Sequence, residues 1–175
     1  TVLRDGMKVD VKIKVVEKPL DKGDNYSVIY SHVVSNGKRI RTMVSRPIGF
    51  DGKRPVMFWI QGINASSVDS PLSGEHYISK MLKPFVDAGW ATVRVEKEGA
   101  GDSEGGPAHL VDFLSEVDIY RQALKSLSKY DFIDLDRIAV FGHSMGGCHA
   151  PIVCSEFPVK AIITYGTVSD SWLEW

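Results

Sequence analysis

The segment from Arg137 to Gly147 constrains this chain more than any other. Ile138, Ala139, Val140 and Phe141 suit a buried strand and run straight into Gly142-His143-Ser144-Met145-Gly146, a G-x-S-x-G pattern followed by residues able to start a helix. A serine on a very tight turn between strand and helix sits in a strained backbone conformation, so the residues two before and two after it need almost no side chain. Gly142 and Gly146 meet that demand. Such a turn lifts the Ser144 hydroxyl out of the sheet, and a helix beginning at Met145 aims unpaired N–H groups and its positive dipole end at any oxyanion formed there. The five-residue pattern alone recurs by chance in loops; the strand before it and the helix after it favour Ser144 as a nucleophile.

The remaining periodicities predict an α/β fold. Pro55 to Ile60 is a continuous apolar run, as in a strand buried on both faces, and leads into Gln61-Gly62-Ile63-Asn64. Tyr77, Ile78, Met81, Leu82, Phe85 and Val86 share one helical face over 75–88, with Pro84 expected to kink or shorten the helix and Gly89 to end it. Trp90 to Val95 reads as the next strand, followed by a glycine-rich loop from Glu98 to Gly106. Over 109–127, Leu110, Phe113, Leu114, Val117, Leu124 and Leu127 mark a helical face, and Asp112, Glu116, Asp118, Arg121 and Lys125 read mostly as its solvated side. The helix after Ser144 carries Pro151, tolerable only near the first turns, and Val159 to Tyr165 is the last clear strand. Upstream, Val28 to Val34 and Arg39 to Val44 are joined through Asn36-Gly37, the strongest short hairpin signal. The alternation implies a mostly parallel sheet with helices on both faces and an antiparallel N-terminal hairpin.

From about residue 26 to 170 these motifs resemble the N-terminal half of an α/β-hydrolase, in particular the serine esterase, thioesterase and peptidase-like members whose elbow reads Gly-His-Ser-Met-Gly-Gly. The resemblance implies a partial hydrolase domain over 21–175, truncated before the lid and the later strands. In that family the loop after the Pro55–Ile60 strand commonly carries His-Gly and donates one oxyanion N–H; here Gln61 replaces the histidine. By position the donors are the backbone N–H groups of Ile63 and Met145. The loop from Glu98 to Gly106 resembles the family's glycine-rich turn beside the active site.

In this fold the acid and the histidine follow the serine in the chain. Only 31 residues follow Ser144, and the one histidine among them, His149, lies in the same helix with its side chain expected to point away. His143, inside the elbow, is expected on the side opposite the serine. His32, His76 and His109 lie upstream; the last two sit in loops bordering the site and read more readily as surface residues. Asp170 follows the last strand at one of two places where the fold can present its acid. The base is thus expected to be missing from this stretch, leaving an uncovered sheet edge and a tendency to oligomerise through exposed apolar surface.

Residues 1–20 alternate apolar and charged side chains from Met7 to Val15 after an Arg4-Asp5-Gly6 turn. They read either as an extra N-terminal strand or, from Arg4-Asp5-Gly6 followed by Val9, Val11 and Ile13, as a stretch resembling the closing hairpin of a PDZ domain, where Arg-Asp-Gly-x-x-Val-x-Val-x-Val is familiar. Pro19 to Asn25 reads as a linker. A net charge of −1 without a basic stripe gives no reason to invoke nucleic acid, and no apolar run approaches a membrane span. Cys148 and Cys154 lie on different faces of one helix and read as small apolar fillers; no metal or cofactor site is visible. The chain begins at Thr1 with no visible signal peptide, so its natural start is expected to be missing and its compartment is not legible. Two functional classes fit: a serine hydrolase or acyl transferase working on a small-molecule or peptide acyl substrate, and a non-catalytic binding module on the same scaffold. The intact Gly142, Ser144 and Gly146 favour the enzyme.

Overall fold

The computed structural model describes residues 2–168. Asp5 (φ 52°) and Gly6 (φ 74°) turn β1 (Val2–Arg4) back on β2 (Met7–Val9), and this ladder makes no pairing with the main sheet. The strand expected to reach Val15 stops at Val9: Val11, Ile13 and Val15 are exposed, because alternation without a neighbouring strand leaves the apolar face nothing to cover. Pro19 to Asn25 does not behave as a free linker. Within it β3 (Lys22–Gly23) pairs with β4 (Tyr26–Ser35), and buried Asp21 accepts the Tyr26 hydroxyl at 2.9 Å and the Leu72 N–H at 2.8 Å.

Asn36 (φ 48°) and Gly37 (φ 75°) both take the left-handed conformation a two-residue hairpin turn needs, and lead from β4 into β5 (Lys38–Pro47). β6 (Arg54–Ile60), β7 (Ala91–Val95), β8 (Ile133–His143) and β9 (Ala161–Tyr165) complete a seven-stranded sheet of order β3-β4-β5-β7-β6-β8-β9. β3, β4, β5 and β7 pair antiparallel in sequence, whereas β7, β6, β8 and β9 run parallel. Parallel neighbours require crossovers, and the helices supply them.

The period-two alternation of β6 sorts its side chains onto two cores. Met57 and Trp59 pack with Ile78, Leu82 and Val86 of α1 (Tyr77–Asp87) on one face. Val56, Phe58 and Ile60 meet Val117, Tyr120 and Leu124 of α2 (Phe113–Ser126) and Ala150 and Val153 of α3 (Met145–Cys154) on the other. α1 runs through Pro84 and ends where expected: Gly89 (φ 80°) donates to the Val86 carbonyl and Trp90 to that of Phe85, a Schellman closure.

Two expectations about the helices are corrected. α2 begins at Phe113, capped by Asp112, whose carboxylate accepts the Ser115 N–H; Leu110 and Leu114 are exposed and the buried residues are Glu116, Val117, Ile119, Tyr120, Ala123 and Leu124. Glu116 therefore belongs to the interior. α3 continues past Pro151, which lies beyond the first turn on an exposed face.

Candidate active site

Ser144 stands where β8 passes into α3, at φ 55° and ψ −124°, one of few non-glycine residues here with positive φ. The packing around it is backbone on backbone. A β-carbon on Gly142 would lie 2.3 Å from the Gly146 carbonyl oxygen, and one on Gly146 would lie 2.3 Å from that of Ile60. A β-carbon on Gly62 would sit 3.0 Å from the Ser144 Cβ. The three glycines thus let the end of β6 and the start of α3 close on each other, with the serine between them. Behind Ser144, a β-carbon on Gly147 would strike Thr167 at 2.5 Å, so the second glycine of the Gly146-Gly147 pair lets α3 settle on the segment after β9.

Ser144 is half-buried, its N–H donates to the Tyr165 carbonyl at 2.9 Å, and its side chain makes no capping bond to α3. Its hydroxyl is therefore not consumed by the helix it begins. Met145, the first residue of α3, follows Ser144 directly, and Ile63, its side chain exposed, follows the Gly62 that packs against the Ser144 β-carbon.

The histidines separate by role. The His143 ring faces Tyr165 (centroids 6.1 Å) and Tyr77 (6.4 Å), and its Nδ1 would be 3.5 Å from a Gly62 β-carbon. His76 is the N-cap of α1, its Nδ1 accepting the Ile78 N–H at 3.4 Å. His109 is exposed in a 3₁₀ turn over Ala108–Leu110. Asp170 lies outside the described residues.

His149 points into the protein. Fully buried, it stacks on Phe113 at 4.1 Å, and its Nε2 is 3.4 Å from Glu116 Oε2. Burial, with the Lys97 ammonium nearby, pulls its pKa down to about 4, so the imidazole is neutral at pH 7. Lys97 Nζ pairs with Glu116 Oε1 at 2.9 Å, and burial pushes the Glu116 carboxyl up while Lys97 opposes it. Sequence periodicity placed Glu116 on the solvated side because it counted charges as outward-facing; the pairing partner Lys97 comes from the loop after β7 and has no sequence-local signature.

On the opposite face of β7, Arg94 and Glu96 are buried two residues apart. The Arg94 guanidinium donates to the carbonyls of Val68 and Ser70 and lies 3.7 Å from Asp21. Glu96 accepts the Val68 N–H at 3.1 Å and the Ser67 hydroxyl, and burial pushes its carboxyl up. The loop between β6 and α1 is thus pinned by both charges. Cys148 is half-buried near Thr167 (3.5 Å) and Cys154 is buried, its thiol pushed up to about 11; both are free. Among the described residues no His, Cys, Asp or Glu cluster could hold a metal, and no helix is long and apolar enough to cross a membrane.

No family model matches the chain. A quorum-quenching protein, AidA of Acinetobacter baumannii, is 35% identical over 72 residues, covering 41% of this chain and 24% of that protein. A 31.7 kDa protein from the traX–finO intergenic region of Escherichia coli is 31% identical over 87 residues, 49% of this chain and 30% of its own length. The matched segments thus span less than a third of these relatives. Among solved structures, PA2218 of Pseudomonas aeruginosa superposes with a TM-score of 0.71 at 16% identity, covering 91% of this chain and 49% of that one. DcsB, in complex with its substrate analogue, gives 0.66 at 22% identity (82% and 46%), and the α/β hydrolase GrgF from Penicillium gives 0.66 at 18% (83% and 47%). The chain spans about half of each. The seven-stranded mixed sheet flanked by helices, with its parallel half next to Ser144, has an α/β-hydrolase-like fold.

Proposed function

We propose that this chain carries the nucleophile and oxyanion donors of a serine hydrolase that cleaves an ester, thioester or amide through an acyl-Ser144 intermediate. The observation that carries the reading is the positive-φ backbone of Ser144 at the turn from a parallel strand into a helix, with Gly62 wedged against it. A left-handed non-glycine residue costs on the order of 1–3 kcal/mol, and a scaffold with no use for the hydroxyl would relax that turn.

In this reading the Ser144 Oγ bonds to the substrate carbonyl carbon and its proton passes to a histidine contributed by sequence outside this chain. The carbonyl oxygen becomes an oxyanion facing the N–H groups of Ile63 and Met145. Collapse breaks the bond to the leaving alkoxide, thiolate or amine, which takes the proton; water then attacks the acyl-serine by the same route in reverse. The arrangement of the histidines supports an external base: His149 is turned into the core and His76 is engaged as a helix cap. Asp170, or a carboxylate beyond it, would orient that histidine. A small-molecule substrate fits the neighbour solved in complex with its substrate analogue. The β1–β2 ladder, unpaired with the main sheet, fits the end of a separate PDZ-like unit.

The test is intact mass after treatment with a fluorophosphonate, on this chain and on the protein extended to include downstream sequence, each beside Ser144→Ala. A single adduct that the mutation abolishes is the expected result, strongest in the extended form. A folded extended protein that takes up no label would overturn the hydrolase reading and leave a binding module.

A further inference from the structure

We propose that Glu96 is a positioning residue that holds the Ile63 loop against Ser144; this rests on the reading of Ile63 as an oxyanion donor. Glu96 follows the last residue of β7 and is fully buried. Among the described residues it forms no salt bridge, so its desolvation is offset by hydrogen bonds alone. Those bonds converge on one segment: the Ser67 hydroxyl and the Val68 N–H, with the Asp69 N–H in turn donating to Ser67 Oγ at 3.1 Å.

That segment belongs to the loop that leaves β6 through Gly62 and Ile63. Between the two, the Asn64 side chain accepts the Ser66 N–H and stiffens the connection. Glu96 takes the donors of the loop at Ser67 and Val68, and Arg94, on the same face of β7, takes its acceptors at Val68 and Ser70. A carboxylate and a guanidinium two residues apart thus read the loop backbone in both polarities, which fixes its height above the sheet as an apolar side chain could not. The other active-site loop uses the same group. A β-carbon on Gly101 (φ 54°) would lie 2.5 Å from Glu96 Oε1, so the glycine-rich loop after β7 packs directly on the carboxylate. Replacing it with an apolar residue of equal size would fill the space and release the donors.

The experiment compares wild type with Glu96→Gln, Glu96→Asp and the milder Ser67→Ala. Three quantities are read on the same protein: urea midpoint, amide hydrogen exchange, and the second-order rate of fluorophosphonate labelling at Ser144 in the extended form. Glu96→Gln is expected to speed exchange selectively over 62–69 and to slow labelling of folded protein by about tenfold or more. Glu96→Asp is expected to restore part of both, and Ser67→Ala to fall between wild type and Glu96→Gln. A lower urea midpoint with unchanged labelling per folded molecule and no selective exchange would mean a purely structural role and overturn the proposal. If Glu96→Gln does not fold, Ser67→Ala decides by the same criteria. Wild type that takes no label sinks the nucleophile reading instead, and the exchange comparison alone then decides whether Glu96 holds the loop.

Discussion

A methyl group at Gly142 or Gly146 would stand 2.3 Å from a backbone carbonyl oxygen, and neither neighbour is a flexible side chain that can swing aside. Gly142→Ala and Gly146→Ala are therefore expected to cost about 3 kcal/mol or more, read as a fall in urea midpoint, or to prevent folding altogether. His149 sets a second expectation. Its folded pKa of about 4 lies below its ordinary 6.5, so the unfolded chain takes up a proton before the folded one does. The stability it contributes is present above pH 6.5 and is lost as pH falls toward 4, by about 3 kcal/mol in all. Urea midpoints at pH 7 and pH 5 should differ in wild type and converge in His149→Phe; an unchanged difference would place the titrating group elsewhere. Both glycines were legible in the sequence, because G-x-S-x-G states its steric demand directly. His149 was legible only as a residue pointing away from Ser144, since its surroundings come from α2 and the loop after β7.

Three segments meet at Glu116: α2 carries it, α3 brings His149, and the loop after β7 brings Lys97. Removing one member of a buried pair strands the other charge, so Glu116→Ala is expected to destabilise by roughly 3–5 kcal/mol, while the double change Lys97→Met with Glu116→Leu should recover most of it. Equilibrium unfolding of the single and double variants checks this. The β4–β5 hairpin offers a smaller test. Gly37 sits at φ 75° with open space around it, so Gly37→Ala meets only backbone strain, and a loss of about 1 kcal/mol is expected. Existence and type of β4 through β9 and of all three helices followed from period and turn chemistry. The start of α2 did not, because the apolar pattern continues upstream to Leu110, whereas the Asp112 cap sets the boundary.

At the scale of the whole molecule, the sheet ends in β9, whose five residues are all exposed even though Ala161-Ile162-Ile163-Thr164-Tyr165 has the composition of an interior parallel strand. An apolar strand at an open edge is a template for pairing. This chain is expected to self-associate in a concentration-dependent way in sedimentation, and Ile163→Lys to weaken that association without lowering the urea midpoint. The sequence by itself determined the elements, their α/β alternation and the steric requirements of the turn at Ser144, because each depends on residues adjacent in the chain or one helical turn apart. Only the tertiary structure decided which charges are interior and what they hold: Glu96 and Arg94 on the loop after β6, Lys97 and Glu116 against His149, Asp21 on Leu72. Burial of a charge depends on partners delivered by other strands and helices, and no local pattern encodes which of them arrives.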